Sequence, residues 1–340
     1  MKKNRLLTLI VTFFVVLSAL ACTGQGHSNT ASPSPKPTSL LLNTMPPFLP
    51  DDSPAESGFP TSTPVPYNPI IQYPCFPMSI YPKVDGSTAC IPLAESLITV
   101  MTGCSQEEAE SIVDLSSTDP SFRALANGDA DFLLAYEPSE SIIDELDPFT
   151  KMDMIPIAMD ALVFIVNEAN PVRSISIEDI QGIYTGRIKN WKELGGNDIP
   201  IVAFQRPDYS GGQALMRKLC MKDLPMMEPA EGTVSESMSD IIQDVASYRD
   251  DGGAIGYSVY YYAQNMFTMP GIRFIEVECS MPSTESINYM SYPLVTPIYA
   301  VLPKGRYNPY AQAIVAWLKG EVGQQFLLSC GYVPLMVIDD

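Results

Sequence analysis

Arg206-Pro207-Asp208-Tyr209-Ser210-Gly211-Gly212-Gln213 lies between an apolar run, Ile201 to Phe204, and a helical stretch from Gly212 to about Met221. The succession reads as a buried strand, a turn and a helix start. Glycines let the main chain approach another group closely. The first turn of a helix leaves N–H donors unpaired and carries partial positive charge. Ser210 adds a neutral hydroxyl, and Arg206 adds a forked, permanently charged set of donors. Such a turn is either an ordinary helix cap or one wall of an anion site.

Two further turns upstream have the same character. Asp85-Gly86-Ser87-Thr88-Ala89 precedes Pro92 to Met101, where Leu93, Leu97 and Val100 recur at helical spacing. Ser116-Ser117-Thr118 precedes a helical stretch, Phe122 to Ala126. Each turn alone fits N-capping, whereas three together are harder to explain that way. Between and beyond them strands and helices alternate. Asp131 to Tyr136, Ile155 to Val166 and Val295 to Leu302 read as strands, Ser176 to Tyr184 as a helix capped by Ser176, and Pro309 to Leu328 as one long helical region. This order implies α/β layers around a largely parallel sheet. Trp317, Leu318, Phe326 and the run Tyr260-Tyr261-Tyr262 read as packing.

The 340 residues carry a net charge of −19, which opposes nucleic-acid binding, because phosphate backbones are held by Lys/Arg surfaces. A small anion in a cleft needs only a few oriented N–H groups and one arginine. Lys2, Lys3 and Arg5 precede an apolar run, Leu6 to Leu20, and then Ala21 and Cys22. Residues 1–21 thus have the layout of a signal peptide. Cys22 resembles the lipid-modified cysteine of bacterial lipoproteins, which implies a membrane anchor. Residues 22–71 read as a tether, with eleven prolines between Ala31 and Ile70 among Ser, Thr and Asn. No later run is long enough to span a bilayer.

Six further cysteines, Cys75, Cys90, Cys104, Cys220, Cys279 and Cys330, permit either disulfides or free thiols. None stands in a metal-ligating spacing, so neither a metal nor a cofactor is expected. Ser87, Ser117 or Ser210 as a nucleophile needs a base, and the only histidine is His27, inside the tether. The pattern points to a binding protein and not to an enzyme.

Over residues 81 to 335 the chain resembles the phosphate-binding proteins of bacterial phosphate ABC transporters. Arg206-x-Asp208-x-Ser210-Gly211 resembles that family's arginine loop, and Gly86-Ser87-Thr88 its first turn. Supporting segments follow in order: Ile183-Tyr184-Thr185-Gly186-Arg187-Ile188 with Asn190-Trp191, Ala254-Ile255-Gly256-Tyr257, Tyr292-Pro293-Leu294, and Gly323-Gln324 through Gly331-Tyr332-Val333-Pro334-Leu335.

The resemblance implies a class II periplasmic-binding-protein-like fold. Lobe I would contain 72–160 plus 293–340 and lobe II 161–292, joined by two crossover strands around a cleft. It implies a monomer that captures inorganic phosphate and delivers it to transporter permease subunits. Another tetrahedral oxyanion, such as sulfate, or a sensory or adhesion role on the same fold, stays open. Residue by residue, it implies that Gly86, Ser87, Thr88, Ala89 and Ser117 or Thr118 meet the ligand from one side. Arg206 would pair with ligand oxygens, held by Asp208, while Ser210, Gly211 and Gly212 present N–H groups. Gly212 stands where the family commonly has threonine, so one hydroxyl contact is missing, with Gln213 a candidate to replace it. The family's carboxylate acceptor for protonated phosphate falls at Tyr136, with Glu137 next to it.

Overall fold

The Ile155–Val166 run is the centre of a sixteen-residue strand, Met152–Asn167 (β3), whose last eight residues are all buried. In this computed structural model, residues 73–222, 224–248 and 252–335 are described. The expected signal peptide, Cys22 and the tether lie outside the described residues. Contacts divide the chain into residues 1–66 and 67–340, and every described residue belongs to the second unit.

Among the described residues nine strands join one sheet: Val84–Gly86 (β1), Phe132–Ala135 (β2), β3, Ser174–Ile175 (β4), Val202–Ala203 (β5), Ala254–Val259 (β6), Ile272–Val277 (β7), Val295–Pro303 (β8) and Val333–Pro334 (β9). The main order is β1-β2-β8-β3-β6-β5. From Met152 to Ala161, β3 pairs with β8, and from Leu162 onward it pairs with β6 and β7. One strand thus serves both halves of the sheet. The sheet is mixed, not largely parallel as expected. β1–β2, β5–β6 and β4–β7 are parallel, but every partner of β3 is antiparallel to it. The chain leaves the first half along β3 and returns along β8, so the two long strands must run in opposite directions.

Helices cover the sheet through faces that the sequence marks. Ile91–Thr102 buries Leu93, Ala94, Leu97, Ile98 and Met101. Ile177–Tyr184 begins at Ser176 in a capping box with Asp179. The expected long helix at the C-terminal end is two, Pro309–Lys319 and Glu321–Ser329, because Gly320 takes an extended conformation between them. The helix after Gly211 is α-helical to Leu215 and continues as a π-helical stretch, Met216–Met221. All six described cysteines are free thiols, with Cys90 and Cys220 buried.

Candidate functional site

The three turns that stand out in the sequence meet in one cavity of about 280 Å³. Ser87, Thr88, Ser117 and Thr118 line it together with Arg206, Tyr209, Ser210 and Gly211. A fourth segment, Glu236-Ser237-Met238, and Tyr262 complete the lining. Two larger hollows, of about 380 and 410 Å³, hold no comparable convergence of hydroxyls and helix starts.

The first turn leaves β1 at Gly86, which must be glycine: a Cβ there would run into the Leu134 carbonyl of β2. Asp85 fixes the first two turns to each other. Its carboxylate accepts from the N–H of Gly86, the N–H of Ser116 and the Ser116 hydroxyl, each at 2.7 Å. The element directly before Ser116 is a helix, Gln106–Ile112, and not a strand. The second turn is held instead by Ser117 N–H donating to the Gly86 carbonyl at 3.1 Å. Ser87 Oγ and Thr118 Oγ1 lie 2.6 Å apart, both buried. Thr88 and buried Ala89 open the short 3-10 turn that leads into the Ile91–Thr102 helix. Thr118 is the first residue of the Thr118–Asn127 helix. The N–H groups of Thr88, Ala89 and Thr118 therefore have no partner within their own first turns.

Ser117 has φ 85° and ψ 171°, a region that glycine ordinarily occupies. Strain of this kind costs about 1–3 kcal/mol and collects at binding sites. Ser117→Gly is accordingly expected to stabilise the ligand-free protein by about 1 kcal/mol, after glycine's own entropic cost. Chemical denaturation checks this, and a loss of stability would contradict it.

Among the described residues Arg206 is the only arginine or lysine that lines the cavity, and it is 8% exposed. Its backbone N–H donates to Tyr257 Oη at 3.0 Å and to Gln213 Oε1 at 3.4 Å, and the Tyr257 hydroxyl donates to the same Gln213 oxygen. Its guanidinium is another matter: Nε and Nη1 are buried without a hydrogen-bond partner. Burial pushes the guanidinium pKa below its ordinary value, and Tyr257, Asp240, Tyr262 and Tyr209 offset this only in part. A charged, desolvated fork without hydrogen-bond partners is costly. An oxyanion in the cavity would remove that cost.

Several expected roles differ in the structure. Asp208 does not hold Arg206; its exposed carboxylate accepts from Arg217 at 2.6 Å, because Arg217 projects back from the following helix. Ser210 N–H is taken by the Pro207 carbonyl at 3.0 Å, while its hydroxyl caps the helix by accepting from Gln213 N–H at 3.1 Å. Gly211 and Gly212 are the first two helical residues, so their N–H groups have no partner within the helix, but only Gly211 lines the cavity. Gln213 does not replace the missing threonine: it is buried and bound to Tyr257 and Arg206. Tyr136 points into the core, where its hydroxyl meets Asp160. Glu137 lies outside the cavity lining and is ion-paired with Lys218.

The carboxylate that does line the cavity is Glu236, which accepts from the Tyr209 hydroxyl at 2.7 Å. Beside it Ser237 caps the Met238–Ser247 helix in a capping box with Asp240. The signal Ser237-x-x-Asp240 is present in the sequence but marks only a helix start. Tyr260 and Tyr261 are buried as packing, and Tyr262 packs against the core and stacks on Phe267 while also lining the cavity.

The phosphate-binding protein PstS of Bacillus subtilis is 30% identical over 180 residues, 53% of this chain and 56% of that protein. Protein SphX of Synechococcus elongatus is 25% identical over 237 residues, 63% of this chain and 66% of that protein. These matches span between half and two thirds of the relatives' length. Among solved structures, a substrate-binding protein with bound phosphate from Clostridium perfringens, assigned to a phosphate ABC transporter, superposes with a TM-score of 0.60 at 22% identity. An ABC-type phosphate transport receptor from Vibrio cholerae gives 0.57 at 24%. Both superpositions cover 74% of this chain and 98% of the other, and at these identities the likeness is one of fold. Residues 81–321 match the PBP superfamily domain, and with the shared-strand sheet and its cavity this places the chain in that superfamily of two-lobed α/β binding proteins.

Proposed function

We propose that this protein is an extracytoplasmic lipoprotein, anchored through Cys22, that captures inorganic phosphate and delivers it to the permease subunits of an ABC transporter. One observation carries the proposal: the buried Arg206 guanidinium has unpaired donors in a cavity lined by hydroxyls and helix starts. The named activities of the relatives and the shared fold support it. Lobe I comprises 72–160 plus 293–340 and lobe II 161–292, with β3 and β8 as the crossovers. Thr88, Thr118, Gly211 and Gly212 supply N–H donors to the anion, and Ser87, Thr88, Thr118 and Ser210 supply hydroxyls. Ligand that contacts both walls favours the closed arrangement by its differential contact.

A general tetrahedral-oxyanion binder is the second reading, because Glu137 is committed to Lys218. Glu236 is then the acceptor to test. A carboxylate facing a protonated oxyanion accepts a hydrogen bond, but facing a fully ionised one it is left unpaired. Glu236→Gln is expected to reduce the preference for phosphate over sulfate by about 10-fold or more, since an unmade bond of this kind costs about 1–3 kcal/mol. Calorimetric titration of the purified protein with phosphate and then sulfate decides among the readings. Phosphate binding without sulfate binding supports phosphate capture, and equal binding of both supports the broader reading. Heat from neither anion removes the function.

A further inference from the structure

Asp160, on β3, is fully buried and forms no ion pair among the described residues. Its Oδ2 accepts from the Tyr136 hydroxyl at 2.6 Å, and its Oδ1 accepts from Ala161 N–H at 2.7 Å and Tyr261 N–H at 3.1 Å. Both tyrosines lead to the anion cavity. Tyr136 N–H donates to Ser87 Oγ at 3.2 Å, and Ser87 Oγ sits against Thr118 Oγ1. Tyr262, which lines the opposite side, directly follows Tyr261. Tyr332 stacks on Tyr261 with ring centroids 3.7 Å apart and donates to the Ala89 carbonyl at 2.9 Å. A single buried carboxylate thus ties together the residues behind both walls, next to the point where β3 changes partners.

We propose that Asp160 couples oxyanion binding to proton uptake: the carboxylate releases its proton to water in the free protein and regains one when the anion occupies the cavity. This rests on the oxyanion-binding reading above. Charges are only weakly screened in a buried region, so two negative groups behind one wall oppose each other. A proton on Asp160 removes the opposition. In the neutral acid Oδ2 donates to Tyr136 Oη, which reverses that bond, while Oδ1 still accepts from the two N–H groups.

The groups that face Asp160 are Tyr136 beyond β2, Cys90 ahead of the Ile91–Thr102 helix, Tyr332 ahead of β9, and Tyr260 and Tyr261 beyond β6. Burial raises Tyr136, Tyr332 and Cys90 far above neutrality and Tyr261 to about 12. Burial raises Asp160 only to about 6, because hydrogen bonds from Tyr136, Ala161, Tyr261 and Tyr260 oppose it. Of Asp160, Tyr136, Tyr261, Tyr332 and Cys90, Asp160 is therefore the one that changes charge near neutral pH.

Phosphate binding by wild type, Asp160→Asn and Tyr136→Phe would be measured from about pH 5 to 8, in buffers of differing ionisation enthalpy to count protons. Phosphate's own ionisation is common to all three proteins and cancels in the ratios. At the low end wild type and Asp160→Asn should bind alike. As pH rises through the Asp160 titration, wild type should fall behind, by about 10-fold at the high end, and take up more protons per phosphate than Asp160→Asn. Tyr136→Phe removes a bond to the charged form and should move the divergence to higher pH, a check that stands even if Asp160→Asn fails to fold. Equal proton counts and a pH-independent affinity ratio overturn the coupling but leave phosphate binding intact. Absence of phosphate binding by wild type at every pH overturns the function and this inference together.

Discussion

Arg206→Ala is expected to weaken phosphate binding by about 30- to 5,000-fold, the equivalent of the 2–5 kcal/mol that follows truncation of one partner in a buried charge pair. The same substitution should raise the melting temperature of the ligand-free protein. It removes a guanidinium that is 8% exposed and has two unbonded nitrogens, and a buried charge without a partner is destabilising. The two effects have opposite signs, which separates loss of a ligand contact from loss of fold. Arg206→Lys keeps the charge but not the planar fork, so its affinity should lie between the two. Thermal melts with and without phosphate read both effects. A variant that still shows the wild-type phosphate-dependent shift would remove Arg206 from the site.

Gly211→Ala should produce the second largest loss. A Cβ at Gly211 would collide with Thr118 Oγ1, and Thr118 is buried with that oxygen hydrogen-bonded to Ser87. Its backbone is an ordinary helical start, so the added methyl group acts through that contact and not through strain in its own turn. Forcing a methyl group into a packed contact costs about 1–3 kcal/mol. Phosphate affinity should therefore fall by about 5- to 150-fold. X-ray scattering should also show less compaction on phosphate addition than in wild type. Weak binding with normal compaction would mean that the methyl group obstructs the ligand and leaves closure of the two walls unaffected.

The legible parts of this chain are those set by local chemistry. Glycine, Ser and Thr ahead of an apolar helix mark Ser87, Ser117 and Ser210 correctly as helix-start positions. The apolar run at 155–166 marks β3, though not its full length. Strand direction is not a local property, and this is why the sheet was expected to be largely parallel. Partners chosen by side-chain reach were also hidden. Asp208 finds Arg217 before Arg206, and Glu137 finds Lys218, because helix phase and turn geometry decide which charges meet. Glu236 was missed for a different reason. The capping box beside it is a common signal, and only the folded chain shows that this helix start faces an arginine some thirty residues earlier.

The division of β3 between two half-sheets also governs the order in which the chain can fold. Leu134 of β2 pairs with Ala300 of β8, and Ile155 of β3 pairs with the same Ala300. Until residues beyond 295 have been made, β2 lacks its β8 neighbour and the first half of β3 presents an open edge. The half-sheet built on β6 and β7 has its partners earlier, since both precede β8 in the chain. Contacts this distant in sequence close slowly, because loop entropy is lost before the pairing is gained. Refolding should therefore be biphasic, with protection of amides in β6 and β7 ahead of those in β2. A chain ending near residue 290 should retain the later half-sheet while exposing β2 as an aggregation-prone edge.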